Sequence, residues 1–436
     1  MNKYNFFLFK NKLFSDNLIN DSFWAILGSL IYKGLAFISG LIIINYLGKT
    51  DFGKFSIIKA TIVAISTFFA LGFNYVSTKF IAQSISKNTE DVYDICRFTG
   101  LISMFLAIFS MIIVFIFGND IFYSLTEIDD NQLSKSLFSP FVFIFIICNW
   151  TIGVLSGLGA YKVQAFNNII TGILSFFITL IFTYIYGYDG AFLALFFTYL
   201  INLVLNLLIL KKELKPFKNN SAIKKNLRKS ILKFSIPLSL QEMIYPIFIW
   251  GVNYSILINS SHSALGLFSA ALQWNAIVIV IPSMLKNVIL SNLSSKLDDK
   301  HQTKIIVAKS TKINLFVSLL ISIIILMLIN FDFFDLIYTT SYSGLDNLIF
   351  LAIISGLILC VSDVYLQFLI SKSQNWLVLL LKFLRDSIKI ILIFIVVGSS
   401  LASNEIQFVS NVLVIILVTN LLFLIAIYFV YLKILS

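Results

Sequence analysis

Long apolar stretches, separated by short polar connections, run along the whole chain. Each stretch has about twenty residues or more, which is the length that an α-helix needs to cross the hydrocarbon core of a bilayer. The pattern therefore predicts an all-α membrane protein. We place its twelve transmembrane helices near residues 22–46, 54–82, 96–117, 137–156, 163–186, 189–210, 232–258, 264–290, 310–330, 345–370, 376–398 and 406–432.

The composition supports a membrane protein and offers no metal or cofactor site. Hydrophobic residues make up 59% of the chain and charged residues 12%, with a mean hydropathy of +0.94. Soluble domains carry about 25% charged residues. The cysteines at 96, 148 and 360 lie far apart, and both histidines fall in predicted connections. This spacing predicts neither a disulfide framework nor a metal centre, so we expect no cofactor.

The distribution of Lys and Arg predicts the orientation. With a cytoplasmic N-terminus, 22 of the 32 basic residues fall in cytoplasmic segments, whereas Lys49, Lys54 and Lys135 lie on the opposite side. Cytoplasmic loops of membrane proteins carry an excess of basic residues. We therefore expect both termini in the cytoplasm and a multi-pass protein of a bacterial inner (plasma) membrane.

A basic connection divides the chain into two halves of six spans each. Residues 211–233, KKELKPFKNNSAIKKNLRKSILK, contain nine Lys or Arg residues, which suit contact with anionic membrane lipids. The predicted domains are thus a six-helix bundle over 1–210, this linker, and a second bundle over 234–436. A short motif recurs 213 residues apart, DFGKFS at 51–56 and ALGLFS at 264–269. Repeats with an even number of spans share one orientation, so a pseudo-two-fold axis along the membrane normal would relate them.

Span eleven contains four charges in its sequence LLLKFLRDSIKIIL, namely Lys382, Arg385, Asp386 and Lys389. A charge at a helix centre costs about 2.5–3.5 kcal/mol on the insertion scale, so these side chains must face protein or water. Their spacing of three and four residues places them on one helix face. Positive charge is in excess there, which favours an anionic ligand over a purely structural ion-pair network.

Other spans also contain charges. Lys33 lies near the middle of span one, and Lys59 enters span two from the outer side. Glu242 lies between Pro237 and Pro246 of span seven, and broken helices near the midplane often mark transporter binding sites. Glu242 is a counter-charge, a protonatable coupling group or a structural partner. The candidate substrate-binding residues are Lys33, Lys59, Lys382, Arg385 and Lys389, with Glu242, Asp363 and Asp386 as coupling groups or charge partners.

Three stretches resemble the Wzx-type polysaccharide and O-antigen flippases of the multidrug/oligosaccharidyl-lipid/polysaccharide (MOP) exporter superfamily. YLGKTDFGKFSIIKA at 46–60 is similar to the family's first-loop motif, and LGFNYVSTKFIA at 71–82 to the end of its second helix. KFSIPLSL at 233–240 is similar to the start of its seventh helix. The resemblance implies that a lipid-linked oligosaccharide crosses the membrane by alternating access, with no enzymatic chemistry.

Two function classes remain open beside this one. A membrane-embedded polysaccharide polymerase or ligase would be polytopic too, but it typically carries a large basic outer loop, whereas the outer loop near 118–136 is short and acidic. Multidrug efflux by the same fold usually goes with a more acidic cavity. The sequence has no G-x-x-x-x-G-K-[ST] motif, so ion-gradient coupling is expected rather than ATP hydrolysis. Other polysaccharide-assembly proteins are expected partners, and nucleic acid is not.

Overall fold

The computed structural model describes residues 18–86, 91–128, 133–217, 225–294, 299–330, 338, 342, 344–399 and 404–435. The middle of the predicted basic linker, residues 218–224, lies outside this part. In the described chain we number eleven α-helices in order. They are α1 Leu18–Ala70, α2 Phe73–Ser86, α3 Val92–Thr126, α4 Leu133–Gly157, α5 Tyr161–Leu214, α6 Lys225–Asn259, α7 His262–Ser294, α8 Lys300–Asn330, α9 Leu345–Ser371, α10 Asn375–Ser399 and α11 Glu405–Leu435.

All twelve predicted spans lie on these helices, because α1 and α5 each contain a bend between two spans. The bends occur at Gly48 (φ 69°, ψ 174°) and Gly187 (φ 54°, ψ −124°). Such backbone angles are essentially restricted to glycine, since a Cβ atom would clash with the backbone. Span two continues through a short break at Leu71 and Gly72 into α2. The chain therefore reverses direction at two glycines without a separate loop.

Eight helical segments of the described chain are long and apolar enough to cross a membrane by composition alone. Two of them, Ile26–Ala70 and Tyr161–Phe217, each contain two spans. The remaining two spans belong to α6 and α10. These helices contain Glu242 and the four charges of span eleven, which lower their apolar character. Both of these less apolar spans thus contain candidate site residues.

The chain divides into two compact units. The first comprises residues up to Ser39 and Ile58–Pro246, and the second comprises Gly40–Ile57 and Ile247–Ser436. Within the first unit α4 packs against α2, α3 and α5, and within the second α9 packs against α7, α8, α10 and α11. Helix α4 is span four and α9 is span ten. The same position of each six-span half therefore forms the centre of a unit.

Each unit contains a cluster of buried apolar side chains. In the first unit the cluster joins α2 to α4 and includes Phe73, Val76, Ile81 and Val154. In the second unit Phe368 and Leu369 of α9 pack with residues of α10 and α11, among them Val378 and Ile427. Lipid provides little hydrophobic driving force between helices, so close packing of this kind holds membrane helices together.

Candidate functional site

The charges of span eleven form an ion cluster around Asp386. Arg385 donates from Nε to Oδ1 and from Nη2 to Oδ2 of Asp386, both at 2.8 Å. Lys389 donates from Nζ to Oδ1 of the same carboxylate at 2.9 Å. The Asp386 side chain is 3% exposed, against 9% for Arg385 and 11% for Lys389. One carboxylate therefore compensates two cations, and the cluster keeps one net positive charge.

Helix α10 turns its charged side toward the protein. Its most buried residues, Val378, Asp386 and Ile393, recur at seven or eight positions and so share one face. The opposite face carries exposed apolar side chains, including Leu380, Leu384, Ile388, Ile391 and Ile395. A helix of a soluble protein shows the reverse arrangement. Contact with lipid explains the inversion, since the charges avoid the hydrocarbon while the apolar face enters it.

Arg385 also contacts an aromatic ring of a neighbouring helix. Its guanidinium lies over the ring of Phe423 of α11, 4.8 Å from the centroid. Two of its donor nitrogens already bind Asp386. Lys382 lies one turn earlier on α10 and is half-buried. A phosphate that approached this cluster would compete with the Asp386 carboxylate for the Arg385 fork.

In the first unit, Lys33 and Lys59 have exposed side chains although both lie within apolar spans of α1. An ammonium group in contact with lipid at this depth would cost several kcal/mol. We therefore expect these two ammonium groups to contact water or polar groups rather than hydrocarbon. These two lysines differ from Arg385 and Lys389 of the second unit, which are mostly enclosed by protein.

Glu242 is half-buried on α6 and lies against the hydroxyl of Tyr75 on α2, within hydrogen-bond reach. Helix α6 continues through the positions of Pro237 and Pro246. Tyr245, next to the second proline, is exposed. Because proline has no backbone N–H, the usual helical hydrogen bonds from positions 237 and 246 to the carbonyl groups of residues 233 and 242 are lost.

Asp363 of α9 forms an ion pair with Lys286 of α7, with Nζ and Oδ2 separated by 2.7 Å. The Asp363 side chain is 17% exposed, and that of Lys286 is 34% exposed. Protein therefore encloses the pair only in part. Asp363 therefore has a fixed cationic partner, which the sequence did not identify.

Two polar clusters were not predicted from the sequence. In α5, Asn167 donates to Asn206, and Asn206 donates to Asn202 at 2.7 Å, so that buried amides join spans five and six. At the start of α11, Glu405 accepts hydrogen bonds from Lys49, Ser261 and Ser263. The sequence did not indicate either cluster, because Asn167 is 39 residues from Asn206 and Glu405 is more than 140 residues from each of its donors.

No group of three or more His, Cys, Asp or Glu residues with metal-binding geometry occurs among the described residues. Asp386 and Asp363 form ion pairs with Lys or Arg side chains.

A sequence profile of the family described as "Polysaccharide biosynthesis protein" matches residues 18–291. A search of curated proteins finds no match. The resemblance that the motifs indicated is thus supported by a profile that covers more than half of the chain.

Solved structures of MOP superfamily transporters share the fold. An inward-facing multidrug-resistance MATE family transporter aligns with a TM-score of 0.76 at 14% identity, over 93% of this chain and 95% of the other. An outward-facing one aligns with 0.70 at 15% identity, over 96% and 95%. A MOP superfamily transporter from Pyrococcus furiosus, described as having a binding pocket of reverse polarity, aligns with 0.70 at 16% identity, over 96% and 95%. The predicted all-α transporter fold is confirmed.

Proposed function

Because the chain belongs to the polysaccharide biosynthesis protein family and has the fold of MOP superfamily transporters, we propose that it is a flippase for a lipid-linked oligosaccharide. It moves an undecaprenyl-diphosphate-linked O-antigen or capsule repeat unit from the cytoplasmic to the outer leaflet of a bacterial inner membrane. Both termini are cytoplasmic in this proposal, following the bias in basic residues.

The excess of basic side chains within the spans carries this proposal. Lys33 and Lys59 are exposed in the first unit, and the α10 cluster of the second unit keeps a net positive charge. A diphosphate is the most strongly charged part of a lipid-linked sugar and is the costliest to move through hydrocarbon. Cations along its path replace the water that it loses, while the lipid tail stays in the bilayer.

We assign the first contact with the diphosphate to Lys33 and Lys59, because their side chains are exposed within the spans. Lys382, Arg385 and Lys389 form the second basic surface. Since Asp386 already occupies the fork of Arg385, a phosphate would bind there by partly replacing that carboxylate. Arg385 thus binds the diphosphate after Lys33 and Lys59, or more weakly than its place within an apolar span suggests. Asp386 determines how strongly Arg385 can bind it.

An ion gradient is the proposed energy source. Glu242 and Asp363 are carboxylates within spans, and both are partly accessible. A carboxylate that exchanges a proton or a cation between two sides of a membrane can couple a gradient to movement. Glu242 is the stronger candidate, since Asp363 already has Lys286 as its partner at 2.7 Å.

Multidrug efflux is the second candidate, because the similar solved structures include multidrug-resistance transporters. The two functions differ in the charge that the cavity must accept. Exposed lysines such as Lys33 and Lys59 repel a cationic drug and attract a diphosphate. The charge of the site therefore favours an anionic substrate.

Deletion of the gene from its host tests the proposed function. We expect undecaprenyl-linked repeat units to accumulate on the cytoplasmic side, and a plasmid copy should reverse the accumulation. A Lys33→Glu/Lys59→Glu copy at equal membrane abundance should fail to reverse it. Normal export of the glycan in the deletion strain, with unchanged sensitivity to cationic drugs as a control for efflux, would contradict the flippase assignment.

A further inference from the structure

The carboxylate of Glu405, at the start of α11, binds three donors from distant parts of the chain. Its Oε2 accepts from Lys49 Nζ at 3.0 Å and from Ser263 Oγ at 2.6 Å, and its Oε1 accepts from Ser261 Oγ at 2.8 Å. Lys49 lies between spans one and two, and the serines lie between spans seven and eight. The twelve-span topology places all three connections on the same side of the membrane, the predicted outer side.

A close helix crossing lies beside this cluster and is built from the repeated motif. A Cβ atom on Gly53 would overlap the carbonyl oxygen of His262, and one on Gly266 would overlap that of Lys49. The two contacts are reciprocal, because Lys49 and His262, like Gly53 and Gly266, are 213 residues apart. Reciprocal contacts between equivalent residues are the signature of a two-fold interface. The repeat in the sequence therefore encodes this crossing.

Residues 40–57 are attached to the second unit at further points. The Tyr342 hydroxyl donates to the carbonyl oxygen of Ile44 at 3.4 Å, and Gly40 lies against the amide of Gln273. The segment belongs to the second unit by packing, whereas the residues before and after it belong to the first. Span one therefore begins in the first unit and ends in the second.

We propose that the Glu405 cluster and the Gly53–Gly266 crossing form an outer latch. The latch holds residues 40–57 on the second unit and must release before a substrate cavity can open to the outside. Glu405 and Lys49 are each only about one-third exposed, at 33% and 34%, so water can replace their mutual contacts when the segment moves away. The inference rests on alternating access, which is part of the proposed function, but not on the identity of the substrate.

The labelling of an introduced thiol distinguishes a latch that releases from hydrogen bonds at Glu405 that only stabilise the start of α11. Gly34 lies within span one beside Lys33, is exposed, and has no atom within 4 Å of the position of a Cβ, so Gly34→Cys introduces a thiol without a clash. The three native cysteines are buried. We would measure the labelling rate of this thiol by a membrane-impermeant maleimide added to the outer side of cells, normalised to protein amount. Labelling from the cytoplasmic side of inverted vesicles validates the reporter.

We expect Glu405→Ala and Lys49→Glu each to raise the outside labelling rate several-fold. The exchanged pair Lys49→Glu/Glu405→Lys should return the rate to that of the parent, because the serine hydroxyls can also accept hydrogen bonds from a lysine. Glu127→Gln, which removes an exposed carboxylate at the end of α3, is the matched control and should change nothing. Gly53→Ala, which forces the crossing apart, should act like Glu405→Ala.

Two results would overturn the latch. One is an unchanged outside rate in Glu405→Ala at parental protein abundance, and the other is an outside rate in the exchanged pair Lys49→Glu/Glu405→Lys that stays as high as in Glu405→Ala. Since the readout is the labelling of a thiol and not the transfer of a glycolipid, a chain that fails to flip oligosaccharide can still show the latch. A flippase without a latch would flip oligosaccharide but would show an unchanged outside labelling rate in Glu405→Ala.

Discussion

Exposed lysines within apolar helices are the clearest functional feature at the scale of single residues. Each would cost about 2.5–3.5 kcal/mol at the centre of a lipid-facing helix. The sequence predicted that Lys33 and Arg385 would have similar roles, but the structure separates them. Lys33 is exposed, whereas two donor nitrogens of Arg385 bind Asp386. The difference depends on side-chain rotamers, which residue spacing does not encode.

Replacement of the exposed lysines should weaken substrate binding. We expect Lys33→Ala or Lys59→Ala to lower the flipping rate about tenfold or more, because a charge-assisted hydrogen bond to phosphate contributes about 1.5–3 kcal/mol. Arginine at either position should retain most of the activity. Flipping is measured per amount of protein in the membrane, with Lys309→Ala on an exposed part of α8 as the control. Full activity of the double alanine variant would place the diphosphate site elsewhere.

Glu242 is predicted to exchange a proton during transport. Glutamine mimics the protonated carboxyl group at every pH, so Glu242→Gln should slow flipping and flatten its dependence on pH. The rate is measured across a pH series, and Glu213→Gln at the end of α5 serves as the control. If the pH profile of the glutamine variant keeps the parental shape, Glu242 is only a structural partner of Tyr75.

At the scale of elements, α10 shows which features spacing predicts well. The recurrence of charges at three and four residues correctly predicted one shared face, because helix geometry fixes it. The partners were less predictable. Spacing allowed Asp386 to pair with Lys382 or Lys389, and in the structure it binds Lys389 together with its neighbour Arg385. The helical repeat brings together residues three or four positions apart, so it does not suggest a pair between the neighbours Arg385 and Asp386.

Removal of the central carboxylate should destabilise α10. Asp386→Asn leaves Arg385 and Lys389 buried without their counter-charge, and breaking a buried pair costs about 3–5 kcal/mol. We therefore expect a lower amount of protein in the membrane and a clearly lower Tm of the purified protein in detergent. Ser387→Ala, at the next position of α10, is the matched control. A parental Tm for Asp386→Asn would show that the two cations have other compensating partners.

The bends at Gly48 and Gly187 could not be predicted from the sequence of a single element. The sequence predicted separate spans near 22–46 and 54–82, and both lie on helices. It did not indicate that Gly48 joins them without a loop, because a positive φ at a glycine is only one of several conformations open to that residue. Gly187 raised the same ambiguity between spans five and six.

At the scale of the whole molecule, the apolar pattern predicted the twelve spans that lie on the described helices, whereas it did not indicate that the units would pack around α4 and α9. Nor did it indicate the transfer of residues 40–57 to the second unit. That transfer depends on contacts between residues more than 200 positions apart, such as Gly53 with His262. A local pattern carries no information about such pairs unless a repeat is recognised, and here the DFGKFS–ALGLFS repeat was the one available signal.

The central claim is that this fold moves an anionic diphosphate-linked glycolipid across the bilayer. The most direct measurement uses purified protein in liposomes that contain a fluorescent undecaprenyl-diphosphate oligosaccharide and carry an imposed ion gradient. An enzyme that modifies only the glycan in the outer leaflet reports its appearance there. We predict that the parent protein transfers the glycolipid much faster than protein-free liposomes or the Lys33→Ala/Lys59→Ala variant. Equal rates in all three preparations, with correctly folded parent protein, would contradict the account.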